Sequence, residues 1–542
     1  MRAFGTLNWL ILAAYMVGNL ALGVVLSKKV ETAQHYFLGQ RTLPWWAIGI
    51  SVIATYIGAM TFLGGPAWAY ADGFSVIFIH INYPIAVFVV VTVFLPFFYR
   101  SGVASIFDYL EHRFGLTSRT LMSAVFLFGN AAYSGIMLYT TALVLEFITG
   151  IPVEDAILIV AVVAVSYTML GGMAAVVWTD VIQSAILFLG ALITVILLVA
   201  ELPGGFAGSL DYLQAQGRLN PFEFSLDPGR VATVWTGIVA MSIYHVVVYG
   251  VNQMMVQRTL AARTLGDAKK SYLLMGYVAF LIFFLFFGLG VLFYSYYGGK
   301  AFDNENLVVL DFVAQMGFPG LMGIVTAAIV AAAMSSLDSS LNSMATVTTL
   351  DFYQKFVRRE ASESHYLKAS RGFTLGWAVL IVIPAIVFSR SGGSVLEVLS
   401  KVGSFFVGAK LAMFGLGFYS KHATQKGLLI GVAAGFAGLW WVESHLDVAW
   451  PWYCALGGLV SSVVAWLSSV LLDGRQKDFH PYTVQGQQAL WRREGRPEKE
   501  DGWYVVPGKV DRASYLLLGY FVVCVALLWL GYDAVASMTG RG

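Results

Sequence analysis

The sequence predicts an all-α integral membrane protein of about fourteen transmembrane helices, and three observations predict it. Hydrophobic residues make up 58% of the 542 and charged residues only 12%, whereas a soluble domain needs roughly a quarter charged to cover its surface. Apolar runs of about twenty residues, long enough to cross a bilayer as a helix, recur along the whole chain. Segments of about ten residues with alternating polarity, which a closed barrel requires, do not occur.

The first run, 7–27, has no A-x-A-like cleavage site and ends at Lys28 and Lys29, so it reads as a retained span. The second, 45–65, is interrupted late by Gly58, Gly64, Gly65 and Pro66. Runs 74–99, 120–148, 153–170 and 174–200 follow, the last carrying Asp180 in GGMAAVVWTDVIQ. The seventh, 232–257, contains MSIYHVVVYGVNQMMVQ and is interrupted by Gly250 and Asn252. Next come 272–298 and then 320–350, whose second half reads AAAMSSLDSSLNSMATVTTLDFY into the inner loop. The runs 370–389, 396–420, 427–442, 450–472 and 512–535 complete the series, and 396–420 holds Lys401 and Lys410. With the N-terminus outside, 25 Lys and Arg fall in inner loops, 6 in outer loops and termini and 2 in spans, which fixes the orientation and places both termini outside.

Breaks in spans two and seven, five spans apart, are what an inverted repeat of five plus five helices shows, with carbonyls freed near the midplane for a ligand. The chain therefore divides into an extra span and inner loop (1–44), a ten-helix core (45–420, with repeats about 45–200 and 232–420), and accessory spans (421–542). Within the last, the polar inner segment 473–511 reads as a cytoplasmic linker too short to be a catalytic module. The basic loops, among them Arg100 to Arg119 and Arg258 to Lys270, read as topology determinants. Cys454 and Cys524 each lie in an apolar run, so neither a disulfide framework nor a thiolate metal site is expected.

A charge at the bilayer centre costs about 2.5 to 3.5 kcal/mol, so each one requires a partner. Those in spans are Asp180, Asp338, Lys401 and Lys410, with His80 and His245 as titratable neutrals. On a helix, Ser335, Asp338 and Ser339 share one flank at i, i+3, i+4, with Ala332, Ser336 and Ser343 on the adjoining strip. Serines that let helices pack and bond back to the preceding turn account for one or two of these, but not for the aspartate. Neutral oxygens with one or two carboxylates suit a hard cation. Asp180 is either a second carboxylate facing the serines, the ion-pair partner of Lys401 or Lys410, or a helix cap near the inner interface. Each histidine is either a satisfied core residue or part of a solute site.

The stretches YFLGQRTLPWWAIGISVIATYIGAMTFLGGPAWAY (36–70), GGMAAVVWTDVIQ (171–183), YGVNQMMVQRTLAA (249–262) and AAAMSSLDSSLNSMATVTTLDFY (331–353) resemble the sodium:solute symporter family. The resemblance implies the LeuT-type fold and a common sodium site made of the Ala54, Ile57 and Ala332 carbonyls and the Ser335 and Ser336 hydroxyls. It implies a second sodium site at Asp180, Ser335, Asp338 and Ser339, with the departure that Asp338 stands where a serine is expected. Solute contacts would fall on Thr61, His80, Tyr133, His245 and Ser400, while sugar-binding positions are largely replaced, Ala279 and Val248 among them. The wording ATYIGAMTFLGGPAWAY and YGVNQ is nearer the monocarboxylate, iodide and multivitamin branch.

The function expected is sodium-coupled symport of a small organic solute by alternating access, with a carboxylate or other small anion as the substrate and a sugar or amino acid as the alternative. The partners are the solute, Na+ and the lipid of a plasma (inner) membrane, with no nucleic acid and no obligatory protein partner. A sensor or a channel is a weaker reading. An enzyme is not expected, since no nucleophile and base pair, phosphate loop or metal cage is present.

Overall fold

A computed structural model of the chain describes residues 4–27, 30–101, 105–391 and 395–538. Among them, ten helices are long and apolar enough to cross a membrane, or twelve if each of two bent pairs is one span. The bent pairs are the second and seventh runs: Trp45–Tyr56 with Thr61–Asp72, bent by 52°, and Thr236–Gly250 with Gln253–Thr259, bent by 55°. Runs 153–170 and 174–200 are two helices within Val153–Ala200 that meet at a kink with non-helical backbone at Gly172. There φ is +56°, and a Cβ would lie 2.6 Å from the Tyr36 carbonyl, so glycine alone fits.

The serine-rich helix Leu321–Val347 is the centre of the molecule. It packs on Val153–Ala200, Leu116–Thr149, Thr6–Ser27 and both halves of the broken second span. The span to which it belongs is 89% inside the protein, against 22% for Thr6–Leu26, Glu363–Arg390 and Arg512–Met538, which face outward. A helix surrounded by protein can carry hydroxyls and a carboxylate because its neighbours, not lipid, supply the partners.

Two accessory helices, Gln425–His445 and Pro451–Asp473, pack through small residues. A Cβ on Gly431 would meet the Ser461 carbonyl at 2.4 Å and Ala465 Cβ at 2.5 Å, the close approach that small residues at every fourth position permit. Gly431→Leu is expected to force these helices apart and cost about 1–3 kcal/mol or more in overpacking, read as a lowered unfolding temperature.

The structure corrects two expectations about polar segments. Segment 473–511 is docked, not a free linker: it contains the helix Val484–Glu494 and an antiparallel pair, Lys499–Glu500 with Trp503–Tyr504. The Gly508 amide donates to the Thr92 carbonyl at 2.9 Å, and Lys269 donates to Asp511 at 2.5 Å. Several basic residues assigned to loops are buried, namely Arg119, Arg258 and Lys269, each held by a carboxylate. Loop composition could not reveal this, because a charge beside an apolar run looks the same whether it meets water or an aspartate.

Candidate functional site

Three elements meet at the break in the second span. The helix Trp45–Tyr56 ends as Ile57 leaves helical geometry (ψ 72°) and Gly58 becomes extended (φ −90°, ψ −171°). A Cβ on Gly58 would lie 2.9 Å from the Ser336 hydroxyl and 3.5 Å from the Ala332 carbonyl, so the absent side chain lets the break sit on the serine helix. Ser335 Oγ donates to the Ala54 carbonyl at 2.7 Å and Ser336 Oγ to the Thr55 carbonyl at 3.0 Å. Ala54, Ile57, Ala332, Ser335 and Ser336 are thus gathered in one place, all of them buried.

Beside them stand Asp180 and Asp338, both fully buried. Ser51 donates to Asp180 Oδ2. Asp338 Oδ1 lies 3.1 Å from the Ser339 hydroxyl, and Thr179 donates to Asp338 Oδ2 at 3.3 Å. The positive partner of this cluster is Arg258, from the second half of the broken seventh span. Its Nε donates to Ser51 at 2.7 Å, one Nη to the Met254 carbonyl at 2.5 Å and the other to Ser339, and it lies 3.7 Å from Asp180 Oδ2. Asp180 is therefore not the partner of Lys410, which stands 5.5 Å from the Phe126 ring, and the Lys401 side chain lies outside the described residues.

With both carboxylates ionised, Asp180, Asp338 and Arg258 carry a net charge of −1. Asp180 Oδ1 is buried with no hydrogen-bond partner. An orphaned carboxylate oxygen beside hydroxyls and the carbonyls of a broken helix is a donor set suited to a hard monovalent cation.

On one side of the break opens a cavity of about 640 Å³ whose lining includes Thr61, His80, Tyr133 and His245. Four of the five expected solute residues are thus brought together, and the side chain of Ser400 lies outside the described residues. His80 stacks on Phe283 with ring centroids 3.5 Å apart, and its Nδ1 is 3.2 Å from the Tyr83 hydroxyl. The Asn82 amide donates both hydrogens to carbonyls, those of Ile79 (3.0 Å) and Gly237 (2.9 Å), so its Oδ1 must accept from His245 Nδ1 at 2.5 Å. That fixes the tautomer: neutral His245 has Nε2 left as an acceptor, suited to a hydroxyl on the solute. No lysine or arginine lines this cavity among the described residues, and its charged lining is Glu443 and Asp447.

Sequence reasoning missed two features. Tyr56, Tyr133 and Tyr244 line this cavity and also a smaller one beyond it, forming an aromatic layer between the two. Aromatic residues are too common in apolar spans for that layer to stand out. Arg258 was concealed by its position one residue past an apolar run, although Asp180's need for a cation pointed to it.

Residues 36–435 match the model of the sodium:solute symporter family. The sodium-coupled monocarboxylate transporter 2 of Bos taurus is 29% identical over 86% of this chain and 79% of its own. The sodium/sialic acid symporter NanT of Aliivibrio fischeri is 28% identical over 86% of this chain and 94% of its own. The sodium-coupled monocarboxylate transporter 1 of Xenopus laevis is 32% identical over 76% of this chain and 67% of its own. The fold is similar to that of a Na+-coupled sialic acid symporter in a substrate-bound outward-open state, with a TM-score of 0.80 at 25% identity, covering 86% of this chain and 98% of that one.

Proposed function

The chain belongs to the sodium:solute symporter family, and we propose that it uses sodium entry to accumulate a small organic anion, a carboxylate above all, by alternating access. It is a multi-pass membrane transporter and not an enzyme. The observation that carries the reading is the pair of serine hydroxyls, 335 and 336, bonded to carbonyls of the broken helix beside an unpartnered oxygen of Asp180. Sodium at the common site would replace those hydroxyl bonds with its own contacts to Ala54, Ile57, Ala332, Ser335 and Ser336, holding the break and the serine helix together. Asp180, Ser335, Asp338 and Ser339 form the second cation site. Each sodium moving inward through about 100 mV supplies about 2.3 kcal/mol.

The finer architecture we propose is fourteen spans in a plasma membrane with both termini outside, ten of them (45–420) built as an inverted five plus five repeat. Two helices bent at corresponding places support it. In that orientation the 640 Å³ cavity opens outward, past Glu443 and Asp447, while the tyrosine layer closes it inward. The solute sits between Thr61, Tyr133, His80 and His245, and a hydroxyl beside its carboxylate would be met by His245 Nε2. Sodium stabilises this arrangement, and the loaded bundle rocks to release both inside.

The test is uptake in proteoliposomes of monocarboxylates, sialic acids, sugars and amino acids, with and without a sodium gradient. Ser335→Ala is expected to lower sodium-driven uptake on the order of tenfold or more, since it removes a ligand and leaves the Ala54 carbonyl unpaired. Uptake independent of sodium, or unchanged in this variant, would refute the assignment.

A further inference from the structure

We infer that the smaller cavity beyond the tyrosine layer is a second anion site, in which Lys410 and Asn130 receive the carboxylate of the solute as it leaves the outer cavity. The inference rests on the reading that the solute is a small carboxylate.

The cavity holds about 80 Å³ and is lined by Phe126, Asn130, Asn252, Phe406 and Lys410, together with the tyrosines it shares with the outer cavity. Lys410 is 8% exposed and is the one lysine or arginine lining either cavity among the described residues. Among the described residues its ammonium meets a ring face, that of Phe126 at 5.5 Å, but neither a carboxylate nor a hydrogen-bond acceptor. Asn130 Nδ2, in the same lining, is also buried with no acceptor.

Two donors, one of them charged, therefore line one small space with no protein acceptor for either among the described residues. Burying an ammonium is unfavourable unless an anion compensates, and a cation–π contact offsets only part of that. Water occupies roughly 30 Å³ per molecule, so the space admits about three waters, or a carboxylate and little else. The head of a small acid fits there while its body remains between Tyr56, Tyr133 and Tyr244. Among the described residues the outer cavity has acidic groups and no cation in its lining, so an anion gains its charge partner only after passing the tyrosines. Lys410 thus favours the inward step and not the first encounter.

The test uses the full chain with sodium propionate as the probe and sodium gluconate, too large for the space, as the reference at equal concentration. Propionate is expected to raise the unfolding temperature of the wild type and of Lys410→Arg more than that of Lys410→Met, which keeps only the outer cavity. In gluconate, Lys410→Met is expected to match or exceed the wild type, because an unpaired buried charge has been removed. Equal shifts in wild type and Lys410→Met, or no shift in the wild type, overturn the site. In proteoliposomes carrying whichever acid the wild type accumulates, Lys410→Met is expected to lose about tenfold or more of turnover, with solute binding from outside retained. Unaltered turnover overturns the role in transport. A wild type that accumulates sugars or amino acids but no acid sinks the carboxylate reading of the function, and the propionate shift still decides whether Lys410 binds an anion.

Discussion

Replacing Arg258 with methionine is expected to lower sodium-dependent uptake on the order of a hundredfold or more and to lower the unfolding temperature, because breaking a buried pair costs about 3–5 kcal/mol. Asp180 and Asp338 share this one guanidinium, all three groups being fully buried. Without it, both buried carboxylates lose the positive charge beside them, and sodium would have to neutralise both. The double variant Asp180→Asn with Arg258→Met removes one charge of each sign and is expected to recover the fold but not sodium stimulation, since the free Asp180 oxygen is gone as well. Asp338→Ser separates the two roles. It leaves Asp180 and Arg258 as a neutral pair, so the charge moved per solute, measured as current against tracer uptake, is expected to fall by one. If Arg258→Met kept normal uptake and sodium affinity, the guanidinium would lie outside the cation machinery.

How far this site was readable follows from where its parts sit in the chain. Ser335, Asp338 and Ser339 were visible because helical spacing places them on one flank, and nothing in an apolar run accounts for an aspartate. The two bends were visible because Gly58, and Gly250 with Asn252, interrupt apolar runs, and a backbone carbonyl released from a helix needs no side-chain signature. The cation beside Asp180 was missed because the candidates considered for it, Lys401 and Lys410, were both inside spans. The chain instead brings in Arg258 from the short helix Gln253–Thr259, across the bend from its span. Long-range charge pairing, like the tyrosine layer, is a property of the packed bundle and leaves no local period. The docking of segment 473–511 was hidden likewise: Lys269 and Asp511 are each unremarkable polar residues until the fold joins them.

Arg119→Leu is expected to unlatch the side of the molecule opposite the open cavity. Arg119 is 3% exposed; it donates to Asp351 from Nε at 2.9 Å and from Nη2 at 2.5 Å, and it also meets Asp108 and Glu111. Asp351 is fully buried and additionally accepts from Ser105 and Ser123, each at 2.7 Å. These bonds tie the short helix Asp108–Phe114 and the start of Leu116–Thr149 to the end of the serine helix's span. Lys355 adds a contact to Glu111 at 2.9 Å. Burial works against the charge of Glu111, but hydrogen bonds from Lys355 and Arg119 outweigh it and hold its carboxyl below the usual value. Its contribution is therefore complete above the ordinary carboxylate range and is lost only as pH falls through the lowered value. Losing the Arg119 pair costs about 3 kcal/mol or more, enough to move a two-state balance by about a hundredfold. The inward-open form should gain, sodium affinity from outside should fall, and a cysteine at Val407, in the smaller cavity, should become reactive from the cytoplasmic side. The double variant Arg119→Leu with Asp351→Asn leaves no buried charge unpaired and so restores folding. If it also restored sodium affinity and protected that cysteine, the pair would serve stability alone, whereas a stable protein with an open inner side identifies it as the latch.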